Sequence, residues 1–381
     1  MKIIAASDSF KESLTSEKIA EIIAQSAAEN LRNACVVPFF MADGGEGTLS
    51  ALAGGGAFKP VKIQTVNSLK EPVSVYYGEG ANHTAVIETA QASGLAGIEK
   101  SRRNPLYTTS YGTGESILKA VEKGAAHIYL CLGGSATNDG GAGALSAMGA
   151  KYYNRNGEPV NKFTAGKDLE EIYTADFTAL KNTFKNVSFT LLCDVKNPLL
   201  GKNGATYTFG PQKGGGQSEL DRLEKGMENF ARVIKKETGN NPEAAEGGGA
   251  AGGIAAAFSA VFGGEIKSGA ETVLDLAGFD KLLTGADLVI TGEGRCDGQS
   301  VNGKAVSAVG KRCRKYNVPA VVIAGSLAEG YEKLCGCGIT AAFSLIDSPC
   351  SLETALRDAE KLYRQTADNL FRLIDKIKSG E

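Results

Sequence analysis

The chain has 381 residues, 43% hydrophobic and 22% charged, which suits a globular protein with length for two domains. Lys and Arg total 41 and Asp and Glu total 43, so no basic field exists to bind nucleic acid or an acidic membrane surface. The sequence has no signal-peptide pattern and no apolar run near the ~20 residues of a membrane-spanning helix. Eight scattered cysteines and two histidines predict a cytoplasmic protein with reduced thiols and no histidine-based metal site.

The first 60 residues predict the beginning of a parallel α/β sheet. An apolar run from Lys2 to Ala6 ends in a polar loop at Asp8, and apolar residues then recur at helical spacing through Ile19 and Ile23. A second apolar run, residues 34–40, ends in a glycine-rich loop that begins near Asp43. Strand, loop, helix, strand and glycine loop in this order are typical of a doubly wound fold.

Residues 61–186 have a different pattern of apolar and polar positions, which predicts a smaller inserted domain of mixed α+β structure. Residues 61–66 and 73–77 alternate apolar and polar positions, which predicts an antiparallel hairpin, and residues 84–88 predict a third strand. A helix is expected after Gly114, and the apolar run at 127–132 leads into Gly133.

Parallel-type strands return after residue 187. Apolar runs that begin near Ser188, Asp287, Val318 and Ile339 alternate with amphipathic helical segments. Together with the strands near the N-terminus, they predict one large, discontinuous doubly wound domain formed by residues 1–60 and 187–381.

Several of these strands end in a loop that combines glycine with Asp, Glu or Ser. Ligands of open parallel sheets bind beyond the carboxyl ends of the strands, so we expect the strand-end residues to share one rim of the large domain. Any one such residue is more often a helix cap or a turn residue. Only the recurrence of these residue types at the ends of several strands favours a binding site. The residues are Asp8, Asp43, Asp194, Glu293 and Gly325.

The loop Gly133-Gly134-Ser135 is suited to an anion, since glycines let successive backbone N–H groups point at a phosphate. Asn138 and Asp139 follow, and their oxygens are ligands of the kind that Mg²⁺ prefers. The alternative is a glycine-rich turn that packs a strand against a helix.

Residues 298–305 nearly match a P-loop, but Ala305 stands where the pattern needs a Ser or Thr hydroxyl. We therefore reject a P-loop fold and keep Lys304 as a candidate phosphate contact. Gly292-Glu-Gly294 lacks the third glycine of a dinucleotide fingerprint, and the sequence contains neither a Gly-x-Ser-x-Gly elbow nor an HExxH motif.

Taken together, these motifs resemble the glycerate kinase family of the bacterial two-domain type. They follow one another in the same order as in that family, and they span most of the chain. The matching strings are Asp8-Ser-Phe-Lys-Glu12, Met41-Ala-Asp-Gly-Gly-Glu-Gly47, Thr109-Ser-Tyr-Gly-Thr-Gly-Glu115, Gly133-Gly-Ser-Ala-Thr-Asn-Asp-Gly-Gly-Ala-Gly143, Cys193-Asp-Val195, Phe209-Gly-Pro-Gln-Lys213 and Thr291-Gly-Glu-Gly-Arg295. The resemblance implies a flavodoxin-like domain, a smaller inserted domain, and a site in the cleft between them. It also implies ATP with Mg²⁺, D-glycerate as acceptor, and 2-phosphoglycerate over 3-phosphoglycerate. One departure is Cys296, where an aliphatic residue is expected.

Phosphoryl transfer needs positioned cations, backbone donors and a carboxylate near the acceptor hydroxyl. Lys213 and Lys304, with the Gly133-Gly134-Ser135 loop, are the phosphate candidates. Arg295 is the candidate for the glycerate carboxylate, because its planar fork binds carboxylates in a bidentate manner. The alternatives are an ordinary surface arginine or a structural ion pair with Glu293. We place Asp43 and Glu293 on the same substrate side.

Asp194 is the first candidate for the base that orients the acceptor hydroxyl and takes its proton. Asp8 is the second, because Lys11 nearby would favour its ionised form and could itself contact phosphate. Either aspartate could instead hold Mg²⁺. Two other functional classes stay open: a nucleotide-dependent oxidoreductase, and a non-catalytic hinged protein that binds small acids.

Overall fold

The computed structural model describes residues 1–10, 12–301 and 305–379. It divides into two compact units. Unit 1 consists of the two ends of the chain, Met1–Asp43 and Ala270–Glu381, and unit 2 is the continuous segment Gly44–Gly269. Lys11 and Lys304, two of the predicted site residues, lie outside the described residues.

The strands are numbered in chain order. They are β1 (Lys2–Ser7), β2 (Cys35–Pro38), β3 (Phe58–Val66), β4 (Pro72–Gly80), β5 (Thr84–Glu88), β6 (His127–Cys131), β7 (Lys151–Tyr153), β8 (Thr174–Asp176), β9 (Ser188–Leu192), β10 (Glu265–Lys267), β11 (Leu288–Gly292), β12 (Arg295–Cys296), β13 (Ala320–Ala324), β14 (Ser326–Leu327) and β15 (Ala341–Ser344).

The α-helices are numbered in the same way. They are α1 (Ser16–Asn30), α2 (Thr48–Gly54), α3 (Thr89–Ser93), α4 (Tyr111–Glu122), α5 (Ala142–Ala147), α6 (Thr178–Thr183), α7 (Ala205–Phe209), α8 (Gln217–Thr238), α9 (Ile254–Phe262), α10 (Gly269–Leu276), α11 (Phe279–Leu283), α12 (Ala305–Lys315), α13 (Leu352–Arg357) and α14 (Ala359–Ser379). Within the described part of the chain, no helix has the length and apolar character needed to cross a membrane.

The sheet of unit 1 has five parallel strands in the order β15-β13-β11-β1-β2. Counted along unit 1 alone, this is the order 2-1-3-4-5 that characterises flavodoxin-like folds. The predicted α/β class with a doubly wound parallel sheet is therefore confirmed.

Alternate residues of each central strand of unit 1 enter two separate hydrophobic cores. Ile3 and Ala5 of β1 belong to a core with α1 and α14, whereas Ile4 and Ala6 belong to a core with α12 on the other face. Because both faces are buried, a strand such as β13 is apolar along its whole length, which is the usual composition of a covered parallel sheet.

The main sheet of unit 2 has the order β10-β9-β6-β5-β4-β3. β5, β6, β9 and β10 are parallel, whereas β3 and β4 form the antiparallel hairpin that the sequence predicts. Residues of α4, α5, α8 and α9 contribute to the large core on one face of this sheet.

Two predictions about organisation need correction. The strand that begins at Ser188 is β9, and it pairs with β6 and β10 in unit 2 rather than in the sheet of unit 1. The compact units therefore divide at 43/44 and 269/270, not near 60 and 187, and the inserted unit is the longer of the two. An apolar run indicates a strand with two covered faces, but it does not indicate which of two sheets the strand joins.

Candidate active site

The carboxyl ends of the parallel strands of unit 2 lie at one level. The pairing register places Glu88 of β5 opposite Cys131 of β6, Cys131 opposite Leu192 of β9, and Leu192 opposite Lys267 of β10. The loops that follow these residues, together with residues 44–47, form what we call the unit 2 rim. In open α/β sheets this edge is the usual ligand-binding edge.

Glycines allow the loops of the unit 2 rim to touch through their backbones. A Cβ atom at Gly133 would lie 2.6 Å from the Cα of Gly45, and one at Gly44 would lie 2.8 Å from the Cα of Gly269. The Gly133 N–H also donates to the Gly44 carbonyl oxygen at 3.5 Å. Side chains at these positions would separate the loops, so the glycines set the shape of the rim.

The predicted phosphate loop lies on this rim beside a buried lysine. Gly133 and Gly134 are exposed, while Ser135 is buried. The Nζ atom of Lys213 donates to the Ser135 hydroxyl at 3.2 Å and to the Thr137 carbonyl oxygen at 2.6 Å. Lys213 is only 3% exposed, and this burial lowers the pKa of its ammonium group to about 8, against the opposing effect of the Asp139 charge. The structure thus brings Ser135 and Lys213 together.

Asp139 is fully buried and accepts hydrogen bonds at both carboxylate oxygens. Oδ2 accepts from the Ser110 N–H at 2.7 Å, the Ser110 hydroxyl at 2.8 Å and the Gly143 N–H at 3.3 Å, and Oδ1 accepts from the Gly141 N–H at 3.1 Å. Burial raises the pKa of Asp139, and these hydrogen bonds oppose the rise. Asp139 therefore connects the starts of α4 and α5, because Ser110 precedes α4 and Gly141 precedes α5.

Asn138 and Asp139 do not fit the predicted Mg²⁺ site. The lone pairs that a cation needs on Asp139 are directed at N–H and O–H donors. Asn138 is fully buried, and its amide nitrogen donates to the Thr206 hydroxyl at 3.2 Å, although its Oδ1 atom has no hydrogen-bond partner among the described residues. The same part of the chain contains no cluster of three His, Cys, Asp or Glu side chains suited to a metal ion.

Glu88, which the sequence analysis did not single out, is a second buried carboxylate on the unit 2 rim. It is 2% exposed, and it accepts hydrogen bonds from the Leu49 N–H at 2.7 Å and the Gln91 amide at 3.0 Å. Burial and, to a smaller extent, the charge of Glu46 raise the pKa of Glu88. Glu88 fixes the end of the 44–47 loop to β5.

Asp194 follows β9 on the unit 2 rim, so the prediction that it shares a rim with Asp8 and Glu293 in the large domain is wrong. Its Oδ1 atom accepts a hydrogen bond from the Gly269 N–H at 3.0 Å. This bond orients the carboxylate at the junction of β9 and β10, next to the contact between Gly44 and Gly269.

In unit 1, the loops that follow β1, β11 and β13 are neighbours, and we call them the unit 1 rim. The Asp8 N–H donates to the Gly292 carbonyl oxygen at 2.9 Å, and the Gly325 N–H donates to the Glu293 carbonyl oxygen at 3.2 Å. The structure therefore brings Asp8, Glu293 and Gly325 to one edge of the five-stranded sheet, as the order of the strands predicts. Asp43 is exposed and is the last residue of the first segment of unit 1.

Arg295 lies on β12, which directly follows the loop after β11 and which we include in the unit 1 rim, and its side chain is 69% exposed. Its ion pair is with Asp297, at 3.7 Å, and not with Glu293, which is instead 3.6 Å from the thiol of Cys296. Cys296 is fully buried in the core beside α12, where a small apolar side chain fits.

The sequence carried weak signals for the two polar residues that it did not identify as important. Ser110 immediately precedes α4, which is the position of a helix cap, and it lies inside one of the matching motifs. Glu88 ends an apolar strand in the same way as the carboxylates that were identified, but it lies in the segment assigned to the inserted domain.

A flavodoxin-like sheet and a second, mixed sheet with four parallel strands, each with glycine loops and carboxylates at its carboxyl edge, define an α/β protein of the ligand-binding type. The model of the glycerate kinase family matches residues 3–375. A glycerate kinase from Bacillus cereus is 41% identical over 371 residues, covering 97% of both chains. A glycerate 2-kinase from Escherichia coli is 41% identical over 360 residues, covering 94% of both. The chain belongs to the glycerate kinase family and is an enzyme of the kinase class.

The fold of this chain is also that of a solved structure. A crystal structure of a protein provisionally assigned as glycerate kinase 2 from Salmonella typhimurium LT2 superposes with a TM-score of 0.85 at 38% sequence identity. The similarity covers 100% of this chain and 99% of that one.

Proposed function

We propose that the enzyme transfers the γ-phosphoryl group of ATP to the 2-hydroxyl of D-glycerate and so forms 2-phosphoglycerate. The observation that carries the proposal is the exposed Gly133-Gly134 turn beside the buried Lys213, in a chain of the glycerate kinase family. The name of the Escherichia coli relative, a glycerate 2-kinase, supports transfer to O2. The proposal includes a cytoplasmic location, since ATP is the donor.

On the donor side, the Gly133-Gly134-Ser135 loop contacts the ATP phosphates through its backbone. Lys213 holds this loop through Ser135 and Thr137, and it adds a positive charge, because a lysine with a pKa of about 8 is mostly protonated at neutral pH. A preformed cradle with a fixed charge stabilises the charge that develops during transfer. Lys304 keeps its predicted role as a further phosphate contact.

On the acceptor side, Arg295 binds the glycerate carboxylate, and Asp43 and Glu293 contact the hydroxyl groups. The support for Arg295 is its exposed side chain on the unit 1 rim and its long ion pair with Asp297. A guanidinium group with a single distant partner keeps N–H donors for a bidentate contact with a carboxylate.

Asp194 is the base in this proposal, with Asp8, assisted by Lys11, as the alternative. The Gly269 N–H holds one oxygen of Asp194, which limits its rotation at the end of a buried strand. Precise placement favours proton transfer, because small displacements of a catalytic group reduce the rate strongly. We assign no step to Mg²⁺, since Asn138 and Asp139 do not fit it.

The proposal is tested by measuring ATP consumption with glycerate, lactate, tartronate and erythronate, with the product of each reaction resolved by NMR. We expect turnover with D-glycerate and 2-phosphoglycerate as the product. Formation of 3-phosphoglycerate would contradict the assignment to O2, and a lack of turnover with glycerate would contradict the proposed acceptor.

The base is tested by comparing Asp194→Asn with Asp8→Asn. Loss of the base should lower kcat by roughly 10²–10⁴-fold with an unchanged requirement for metal. A variant that regains activity at high Mg²⁺ concentration would identify its residue as a metal ligand. Near-normal kcat in Asp194→Asn would remove Asp194 from the mechanism.

A further inference from the structure

The phosphate loop of unit 2 is held on one side by the segment that ends α3 and follows it. The Leu95 N–H donates to the Gly134 carbonyl oxygen at 2.9 Å, and the Ala136 N–H donates to the Ser93 carbonyl oxygen at 2.8 Å. These two bonds form an isolated antiparallel bridge on either side of Ser135. The loop that we assign to phosphate is therefore attached to this segment through its own backbone.

This attachment fixes the direction of the Ser135 N–H. In an antiparallel pair that is flanked by its hydrogen bonds, each residue points its own N–H and C=O groups away from the partner segment. The Ser135 N–H accordingly points away from residues 93–95, and it donates to no acceptor among the described residues. Gly134, the residue before it, is exposed. A backbone donor in this setting is the kind that a phosphate-binding loop offers.

Arg103 holds the turn that supplies the Leu95 N–H. Its Nε atom donates to the Ile98 carbonyl oxygen at 3.0 Å, and its Nη2 atom donates to the Leu95 carbonyl oxygen at 3.3 Å. The Ile98 N–H closes the same turn by donating to the Leu95 carbonyl oxygen at 3.1 Å. Because the donors of a guanidinium lie in a rigid fork, one side chain fixes both ends of this four-residue turn.

The backbone of Arg103 also contacts the turn that carries Lys213. A Cβ atom at Gly214 would lie 2.3 Å from the Arg103 carbonyl oxygen and 2.8 Å from the Arg103 Cβ atom, so only glycine permits this approach. Lys213, the preceding residue, donates to the Ser135 hydroxyl at 3.2 Å. Arg103 therefore lies between two supports of the phosphate loop, the 95–98 turn and Lys213.

The charge of Arg103 has no carboxylate partner within the described part of the chain. Arg103 is half-buried, whereas its neighbour Arg102 is exposed and paired with Glu71, with Nη2 and Oε1 2.6 Å apart. A charged group that is partly removed from water usually has an opposite charge beside it. Both hydrogen bonds of Arg103 go to neutral carbonyl groups, so its positive charge is left to favour an anion near the loop.

We propose that Arg103 is a positioning residue for the nucleotide. It holds the 95–98 turn so that Leu95 keeps the peptide between Gly134 and Ser135 in the orientation that binds the ATP phosphates. This inference rests on the proposed function, which makes the loop a phosphate site, and it gives Arg103 no contact with glycerate. Without the guanidinium the turn is released, and the Ser135 N–H loses its fixed direction.

The test compares Arg103→Met and Arg103→Lys with Arg102→Met, a matched control that removes the same charge one residue earlier. Isothermal titration calorimetry of the full chain with Mg²⁺, and without glycerate, gives the Kd for ATP, and the kinase assay gives both KM values. Arg103→Met should raise the Kd and the KM for ATP by about 10-fold or more, while the KM for glycerate stays nearly constant. Arg103→Lys keeps the charge but not the fork, so it should lie between Arg103→Met and the wild type. Arg102→Met should bind ATP as the wild type does.

The proposal is overturned if both Arg103 variants bind ATP as tightly as Arg102→Met, or if the KM for glycerate rises by the same factor as the KM for ATP. The second result is that of a merely structural role. Thermal melting shows whether each variant is folded, and if Arg103→Met is not, Arg103→Lys decides alone, with ATP binding weakened by roughly 3-fold or more. Wild-type protein that binds ATP but does not phosphorylate glycerate contradicts the proposed function and leaves Arg103 to be judged by ATP binding, whereas wild-type protein that binds no ATP overturns both.

Discussion

The two rims place their charged residues in opposite environments. On the unit 2 rim or directly beside it, Asp139, Lys213 and Glu88 are buried and hydrogen-bonded to backbone groups or to neighbouring side chains. On the unit 1 rim, Glu293 is half-buried and Arg295 is mostly exposed, with one long ion pair. A buried charge with filled hydrogen bonds fixes the backbone around it, whereas an exposed charge is available to a ligand.

This contrast separates two kinds of candidate that look alike in the sequence. Asp139 and Glu293 both follow a parallel strand, and both lie in glycine-rich motifs. Only the hydrogen bonds in the structure distinguish Asp139, which fixes the backbone of its own loop, from Glu293, which is half-buried on the unit 1 rim. We therefore expect substitutions of the buried, hydrogen-bonded charges of unit 2 to change stability, and substitution of the exposed Arg295 in unit 1 to change substrate affinity.

The largest effect is expected for Asp139→Asn. The asparagine amide would direct N–H groups at the donors of Ser110, Gly141 or Gly143, and those buried groups would lose their acceptor. We expect the free energy of unfolding to fall by about 3–5 kcal/mol, measured by chemical denaturation.

Asp297→Asn is the control for Asp139→Asn, because Asp297 accepts from the Gln299 N–H in a partly exposed turn that an asparagine oxygen can also serve. It should change the free energy of unfolding by less than about 1 kcal/mol. If Asp139→Asn melts like the wild type but needs more Mg²⁺ for activity, Asp139 is a metal ligand and the contrast between the rims fails.

The next effect is a pH dependence of stability that arises from Lys213. Its pKa is about 8 in the folded protein, against an ordinary value of 10.5, so between these values the unfolded chain binds more protons than the folded one. Stability should therefore rise with pH across this interval, by on the order of 3 kcal/mol for this group alone. Lys213→Met should remove this rise, and denaturation curves of the two proteins at several pH values measure the difference.

The activity of the wild type should change in the opposite direction over the same interval. As Lys213 loses its proton above about pH 8, the phosphate loop loses a positive charge, and kcat/KM for ATP should fall. A wild-type stability profile that is parallel to that of Lys213→Met would show that the ammonium group is not perturbed by burial.

The smallest effect is expected on the unit 1 rim. Arg295→Lys keeps the charge but removes the planar fork, so the KM for glycerate should rise roughly 10-fold while the KM for ATP and the melting temperature stay nearly constant. Arg357→Lys, an exposed arginine on α13 paired with Asp358, should change neither KM value. Equal increases in both KM values for Arg295→Lys would place Arg295 outside the glycerate site.

The sequence predicts the class of fold well because parallel strands leave a simple pattern. The apolar runs of β1, β11 and β13 follow from burial on both faces, and the loops after them fall on one edge as expected. The membership of β9 could not be predicted in this way, since an apolar strand of five residues suits either sheet. With β9 misplaced, the unit boundary and the position of Asp194 were also wrong.

The candidate site is predicted only as far as the residue types allow. The pairing of Ser135 with Lys213 joins two motifs that are 78 residues apart, and nothing local in either motif specifies it. The metal prediction for Asn138 and Asp139 followed the chemistry of their oxygens, but it could not include the hydrogen bonds that Ser110 donates from a third motif.

The contact between Gly44 and Gly269 has a consequence for how this chain could have been assembled. These two glycines are the first and last residues of unit 2, and their backbones lie against each other. A segment whose ends meet can be inserted into a loop of another fold, or removed from it, without stretching the host, which is how domain insertions are tolerated. Unit 2 therefore has the geometry of a domain that can be inserted or removed as a whole. Its first residue, Gly44, lies beside the Gly133 loop that we assign to phosphate.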